Sequence, residues 1–226
     1  MSKAQETIKS IPEPTLRRLP SYCQVLLGLA EQEQEYVSCT QLGDALHIDP
    51  TLIRKDLALA GATGRPKVGY VTKELHQQLE HFLGWNNARD AVLIGAGSLG
   101  SALMGYKAFD QYGVNIVLAF DHDPDKIGKK IHGIPVLPLT RMPNLLERMK
   151  VHLGILTVPA DDAQSISELM VMNGILAIWN FAPIALKVPE GIIVQNEDLF
   201  SSLGILSSKL AALLKRTETD HEEVLT

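Results

Sequence analysis

The chain has 226 residues, 46% of them apolar and 21% charged, a globular composition long enough for one large domain or two ordinary ones. Its longest apolar runs, such as Gly174 to Trp179, and its polar start from Met1 to Pro12 offer neither a membrane span nor a secretory signal, so the expected compartment is the cytoplasm. Net charge is −5, and residues 1–84 hold nine Lys/Arg against ten Asp/Glu; any contact with nucleic acid must come from local clustering of bases, since overall charge opposes it.

The first stretch is expected to be helical. Leu16, Leu19, Tyr22, Leu26 and Leu29 recur every three or four residues and form one apolar stripe. Cys23 and Cys39 are the only two cysteines; without metal-ligand spacing they are expected to be free buried thiols, and no metal is expected. Ser38 or Thr40 can cap a short second helix running to about His47. Asp49-Pro50 is an N-cap followed by proline at the first helical position, where its missing N–H costs nothing. The helix this opens places Ile53 and Leu57 inside, carries Arg54 and Lys55, and ends near Gly61. Gly61 to Tyr70 then brackets Arg65 and Lys67 with glycines and a proline, a tight basic hairpin with Val68 and Tyr70 on the returning strand. Helix, short helix, helix and basic hairpin is the order of a winged helix-turn-helix, whose third helix enters the major groove. This domain is expected over residues 1–84 and closes with a helix from Thr72 to Leu83.

The pattern then changes to α/β. Ala91–Ile94 is a short apolar strand followed at once by Gly95-Ala96-Gly97-Ser98-Leu99-Gly100, with a helix expected from Ser101 to about Phe109. A second strand, Ile116–Phe120, runs into Asp121, 21 positions past the last glycine. Further apolar strands, at Leu153–Thr157, Ile175–Trp179 and Ile192–Val194, alternate with helices, which predicts a parallel sheet over residues 85–200. The glycine pattern between a strand and a helix, with an acidic residue about 20 positions on, is the Rossmann fingerprint. Gly95 permits the turn, Gly97 lets backbone approach a pyrophosphate and Gly100 lets helix and strand pack. The phosphates would sit at the helix N-terminus. Asp121 would bond the adenine ribose and repel a 2′-phosphate, favouring NAD(H) over NADP(H). His132 and His152 have no partner carboxylate at a readable spacing, so no catalytic constellation is expected. From Ser201 to Arg216 a last helix carries Leu203, Leu206, Leu210, Leu213 and Leu214 on one face. At about 24 Å long it needs an apolar partner surface. The polar end, Thr217–Thr226, is expected to be a flexible tail, so residues 201–226 form a third segment.

Ile53-Arg54-Lys55-Asp56-Leu57, the wing Gly64–Tyr70, Gly95–Gly100 with Ala102, Leu103 and Tyr106, Ala119-Phe120-Asp121-x-Asp123-Pro124-x-Lys126-Ile127-Gly128, Thr157-Val158-Pro159, Asn180-Phe181-Ala182-Pro183 and Asn196-x-Asp198-Leu199 resemble, in order and over nearly the whole chain, the Rex redox-sensing repressors. The resemblance implies a homodimeric transcriptional repressor, no enzyme, that binds operator DNA and is released when NADH rises relative to NAD+. It implies DNA contacts from Thr51, Arg54, Lys55, Arg65 and Lys67. It implies a cofactor site of Gly95, Ala96, Gly97, Ser98, Leu99, Gly100, Asp121, Thr157, Pro159 and Asn180, with Tyr106 near the nicotinamide. It also implies a C-terminal helix exchanged between subunits, with Asp198, Leu199 and Phe200 at its start linking redox state to the dimer. In two places the chain departs from common members. Leu52 stands where many have Gln, and Leu cannot make a bidentate contact to adenine. Gln24 stands where some have an Arg that pairs with the residue matched by Asp198. The alternative is a small NAD-dependent oxidoreductase or CoA-type nucleotide-binding protein with an N-terminal interaction domain.

Overall fold

The computed structural model describes residues 11–85 and 89–224; Met1–Ser10 and the last two residues of the expected tail lie outside that set. The side chains of Leu199 and Phe200, and those from 215 onward, are likewise outside the description. Two compact units divide the chain, Met1–Asn87 and Ala88–Thr226.

The first unit comprises α1 (Glu13–Glu31), β1 (Tyr36–Val37), α2 (Cys39–Leu46), α3 (Pro50–Leu59), β2 (Tyr70–Val71) and α4 (Thr72–Leu83). The expected stripe of α1 faces inward: Leu19, Tyr22 and Leu26 are buried with Ile53, Leu57, Leu75 and Leu79. Both thiols lie in this core, and burial pushes that of Cys23 up to about 12. Ser38 caps α2 through a reciprocal pair with Gln41, so two otherwise orphaned N–H groups find acceptors. Asp49 caps α3 by accepting from the Thr51 N–H at 2.7 Å. Sequence reading did not foresee β1. It pairs antiparallel with β2, Tyr36 opposite Val71 and Val37 opposite Tyr70, and two residues are too few to display a period. The hairpin between α3 and β2 closes on an Arg65–Gly69 bridge, with Lys67 at its tip in the left-handed region (φ 64°).

The second unit comprises β3 (Arg89–Ile94), α5 (Ser98–Met104), a 3₁₀ segment Lys107–Tyr112, β4 (Val114–Asp121), β5 (Lys130–Ile131), β6 (Ile134–Pro138), α6 (Met142–Met149), β7 (Leu153–Leu156), α7 (Ala160–Met172), β8 (Ala177–Asn180), β9 (Ile193–Asn196) and α8 (Leu199–Val224). The sheet order is β5-β6-β4-β3-β7-β8-β9. All pairs are parallel except β5 with β6. Both faces are covered: Val92, Ile94, Leu118 and Phe120 pack with α6 and α7 on one side, and Ala91, Leu93, Ala119 and Ile155 lie on the other. The chain reverses direction of growth between β3 and β7, and in open parallel sheets ligands bind outside the strand ends at that switch point.

Several elements of this unit differ from expectation, among them the short strand β5, which the sequence did not signal. Helix α5 starts at Ser98 and stops at Met104, so Phe109 belongs to the separate 3₁₀ segment. Strand β6 contains Pro135 and Pro138, whose lost donors hide a strand signal in the sequence. Helix α8 continues to Val224, through residues expected to form a tail; they are polar but contain neither Gly nor Pro to stop a helix.

Candidate dinucleotide site and nucleic-acid interface

The Gly95–Gly100 loop joins β3 to α5 at the switch point. Gly95 is at φ +99°, and a Cβ there would stand 2.8 Å from the Thr157 carbonyl oxygen. Gly100 faces the same turn still more closely, since its Cβ would lie 2.0 Å from the Gly95 oxygen. A Cβ on Gly97 would meet no described atom within 4 Å, which leaves this backbone open to a ligand. Gly97 is the N-cap of α5 and supplies no side-chain cap, so the first-turn N–H groups of Ser98 and Leu99 are aimed outward with the positive end of the helix dipole.

Two side chains hold this loop. Thr157, just past β7, places its hydroxyl 2.7 Å from the Gly95 oxygen and 3.0 Å from the Ile94 oxygen, so its single proton serves the protein. Asp121, at the end of β4, is 4% exposed. It accepts from the Ala96 N–H at 2.7 Å and the Asp123 N–H at 2.8 Å, with the Lys126 ammonium 3.4 Å away. Burial pushes its carboxyl up, but these donors outweigh it and hold it below the ordinary carboxylate range. A carboxylate has about four acceptor positions, and these three donors occupy most of them. Lys126 also reaches Asp123 at 3.2 Å; its tie to Asp121 was not foreseen. Pro159 caps α7. Asn180 is fully buried and its amide is spent internally, donating to the Ile184 carbonyl and Asn196 and accepting from the Ala182 N–H. These bonds tie the end of β8 to the turn at Ala182–Ile184 and to the end of β9. Tyr106 is 57% exposed, standing edge-on to Phe109 at 5.2 Å. The Gly105 backbone beside it packs against the His132 ring.

On the first unit, α3 exposes Thr51, Leu52, Arg54, Lys55, Ala58 and Leu59. Arg54, Arg65 and Lys67 line one groove with Ser38, Cys39 and Thr40 at the start of α2. The Arg65 guanidinium sits over the Tyr36 ring at 6.0 Å, a cation–π contact that steadies the hairpin. On the inner side of α3, Asp56 is 1% exposed. It accepts from Thr15 at 2.9 Å, Arg18 at 2.7 and 2.8 Å, and Tyr22 at 2.7 Å. Burial pushes its carboxyl up, yet the bonds from Arg18, Tyr22 and Thr15 win and hold it below its usual range. This network fixes α3 to α1, and no sequence signal marked it: Asp56 sits in a charged run that looks solvated. Asp198 is the N-cap of α8, accepting from the Ser201 N–H at 2.9 Å and from the Ser201 hydroxyl. Gln24 is exposed.

A dinucleotide-type α/β domain joined to a helix-turn-helix unit defines a ligand-responsive DNA-binding protein, and comparison with known proteins specifies which. Residues 10–58 match the family model "Putative DNA-binding protein N-terminus" and residues 86–184 match the model of the CoA binding domain. The chain is 44% identical over 193 residues to the redox-sensing transcriptional repressor Rex of Treponema denticola, covering 85% of this chain and 92% of that one. It is 38% identical over 210 residues to Rex of Clostridium botulinum, covering 93% and 98%. The crystal structure of RSP in complex with beta-NAD+ and operator DNA matches with TM-score 0.85 and 34% identity, covering 92% of this chain and 97% of RSP. RSP in complex with beta-NADH matches with TM-score 0.82, covering 92% and 99%. The chain belongs to the Rex family of redox-sensing transcriptional repressors.

Proposed function

We propose that this chain represses transcription in the cytoplasm as a homodimer, binding operator DNA through α3 and the Arg65–Gly69 hairpin and letting go when NADH rises relative to NAD+. The observation that carries this reading is one chain holding both an open Gly95–Gly100 loop at a sheet switch point and a basic groove on a helix-turn-helix unit. It is supported by the match over 92% of the chain to RSP, a protein crystallised with NAD+ and operator DNA and with NADH.

In this reading the Ser98 and Leu99 N–H groups receive the pyrophosphate, Asp121 takes the ribose hydroxyls, and Tyr106 lies near the nicotinamide. Thr157 and Asn180 act by holding the strand ends. The cofactor is a ligand, and its oxidation state is the signal. Thr51, Arg54 and Lys55 face base edges, while Arg65 and Lys67 contact phosphates or the minor groove. Exposed Leu52 can offer only apolar contact, such as to a thymine methyl.

The dimer is supported by α8. Leu203, Leu206 and Leu210 are each more than half exposed, and an apolar stripe of that kind needs a covering surface. Exchange of α8 between subunits would supply it, with Asp198, Leu199 and Phe200 at the crossover. NADH then controls DNA only by binding one dimer state better than the other. By linkage, whatever factor NADH takes from operator affinity, operator DNA takes from NADH affinity.

Arg54→Ala and Lys67→Ala test the interface in a salt series. Both should weaken operator binding. Lys67→Ala should also reduce the slope of log affinity against log salt by about 0.9, the release of one phosphate's counterions. Unchanged affinity in both variants would contradict the interface.

A further inference from the structure

A line of rings runs through the second unit from Tyr106 to the foot of α8. Tyr106 stands edge-on to Phe109 with centroids 5.2 Å apart, Phe109 edge-on to Trp179 at 5.6 Å, and Trp179 tilts onto Phe181 at 4.8 Å. The Trp179 indole N–H donates to the Glu197 carboxylate at 2.9 Å, and the Glu197 backbone N–H donates to the Asn180 carbonyl at 2.8 Å. The next residue, Asp198, caps α8.

We infer that Trp179 and Glu197 are positioning residues that set how strongly NADH weakens DNA binding, an inference that rests on the proposed redox-sensing function. Trp179 lies on β8, the strand next to the edge strand β9, paired with Ile155 on one side and Gln195 on the other, so its indole has a fixed base. Phe109 and Tyr106 are on the 3₁₀ segment and its approach, irregular backbone that can shift where strands cannot. Edge-on ring pairs hold a preferred geometry, so displacing Tyr106 tilts Phe109 against the indole. An indole nitrogen can only donate, and losing its one partner in a part-buried site is costly. Glu197 is thus drawn along with the indole, and with it the cap residue that begins α8. The route lies wholly within described residues of one unit, and it does not use Gln24.

Three variants of the full-length chain test it. Trp179→Phe keeps a ring but has no donor, Glu197→Ala has no acceptor, and Glu197→Gln keeps an acceptor oxygen. For each, operator affinity is measured with NAD+ and with NADH, alongside NADH affinity and thermal stability. Trp179→Phe and Glu197→Ala should bind NADH within about threefold of the parent, yet lose at least about fivefold of the NADH-dependent change in operator affinity. Glu197→Gln should retain that change. Parent-like NADH effects in both Trp179→Phe and Glu197→Ala would overturn the inference. So would loss of the effect in Glu197→Gln along with Glu197→Ala, since the charge and not the indole bond would then matter. Should Trp179→Phe unfold, the Glu197 pair decides alone. A parent chain whose operator binding ignores NADH would instead overturn the proposed function.

Discussion

Gly100→Ala should weaken NADH binding by about 100-fold or more, roughly 2.7 kcal/mol, while leaving cofactor-free DNA binding within about twofold of the parent chain. The added methyl would sit 2.0 Å from the Gly95 carbonyl oxygen and 2.9 Å from the Thr157 hydroxyl. The first of these is backbone, held at φ +99° by the turn and bonded to Thr157, so no side-chain rotation relieves the clash. Either α5 moves off the strand or the turn opens. Both displace the Ser98 and Leu99 N–H groups from the point where β3 and β7 part, and a site made of backbone donors tolerates little misplacement. The helix-turn-helix unit is compact on its own side of Asn87, so DNA binding should survive and become unresponsive to NADH. Fluorescence titration with NADH beside a mobility shift checks both halves. NADH affinity within about threefold of the parent would mean the loop does not carry the phosphates.

Asp56→Ala should destabilise the first unit by about 3 kcal/mol or more, the cost of leaving a charge without its buried partner. For a domain of this size that lowers the melting temperature by roughly 12–24 °C. One carboxylate accepts from Thr15, Arg18 and Tyr22, and the Arg18 side chain is 25% exposed, so removal strands donors that water reaches poorly. Asn is no substitute, because its NH₂ group would face donors. The pH dependence follows from the depressed folded-state carboxyl. Its stabilisation is complete above the unfolded value of about 4 and is lost as pH falls through the folded value. Acid unfolding of the parent's first unit should thus steepen below about pH 4, and Asp56→Asn should lack that component. Calorimetry across roughly pH 3–7 checks it; a melting temperature for Asp56→Ala within about 3 °C of the parent would contradict it.

The contrast between Gly100 and Asp56 shows what the sequence makes legible. Gly95–Gly100 is readable because its constraint is local: strand, turn and helix follow one another, and Asp121 falls at a spacing set by one strand-helix-strand unit. The caps at Ser38 and Asp49 are readable for the same reason, each bonding to a near neighbour in the chain. Asp56 is not, because its partners lie 41, 38 and 34 positions away and only the packing of α1 on α3 brings them together. Strand β1 was hidden by its length and β6 by its prolines. Asn180 and Thr157 are expected at the site only from the resemblance. The geometry adds that their polar atoms are spent on the strand ends, which no motif could reveal. Trp179 reads in the sequence as one more apolar strand residue, because its indole partner Glu197 lies 18 positions on. The stripe on α8 was visible as an apolar face from Leu203 to Leu214, but nothing in a single chain said how it is covered.

The decisive measurement is a titration of this protein on an operator selected from random duplexes, with saturating NAD+ in one series and saturating NADH in the other. Operator affinity should be weaker in NADH by about 100-fold, which requires NADH to favour the DNA-free state by roughly 2.7 kcal/mol more than NAD+ does. Equal affinity in the two series would contradict a redox sensor, however tightly the chain binds either nucleotide.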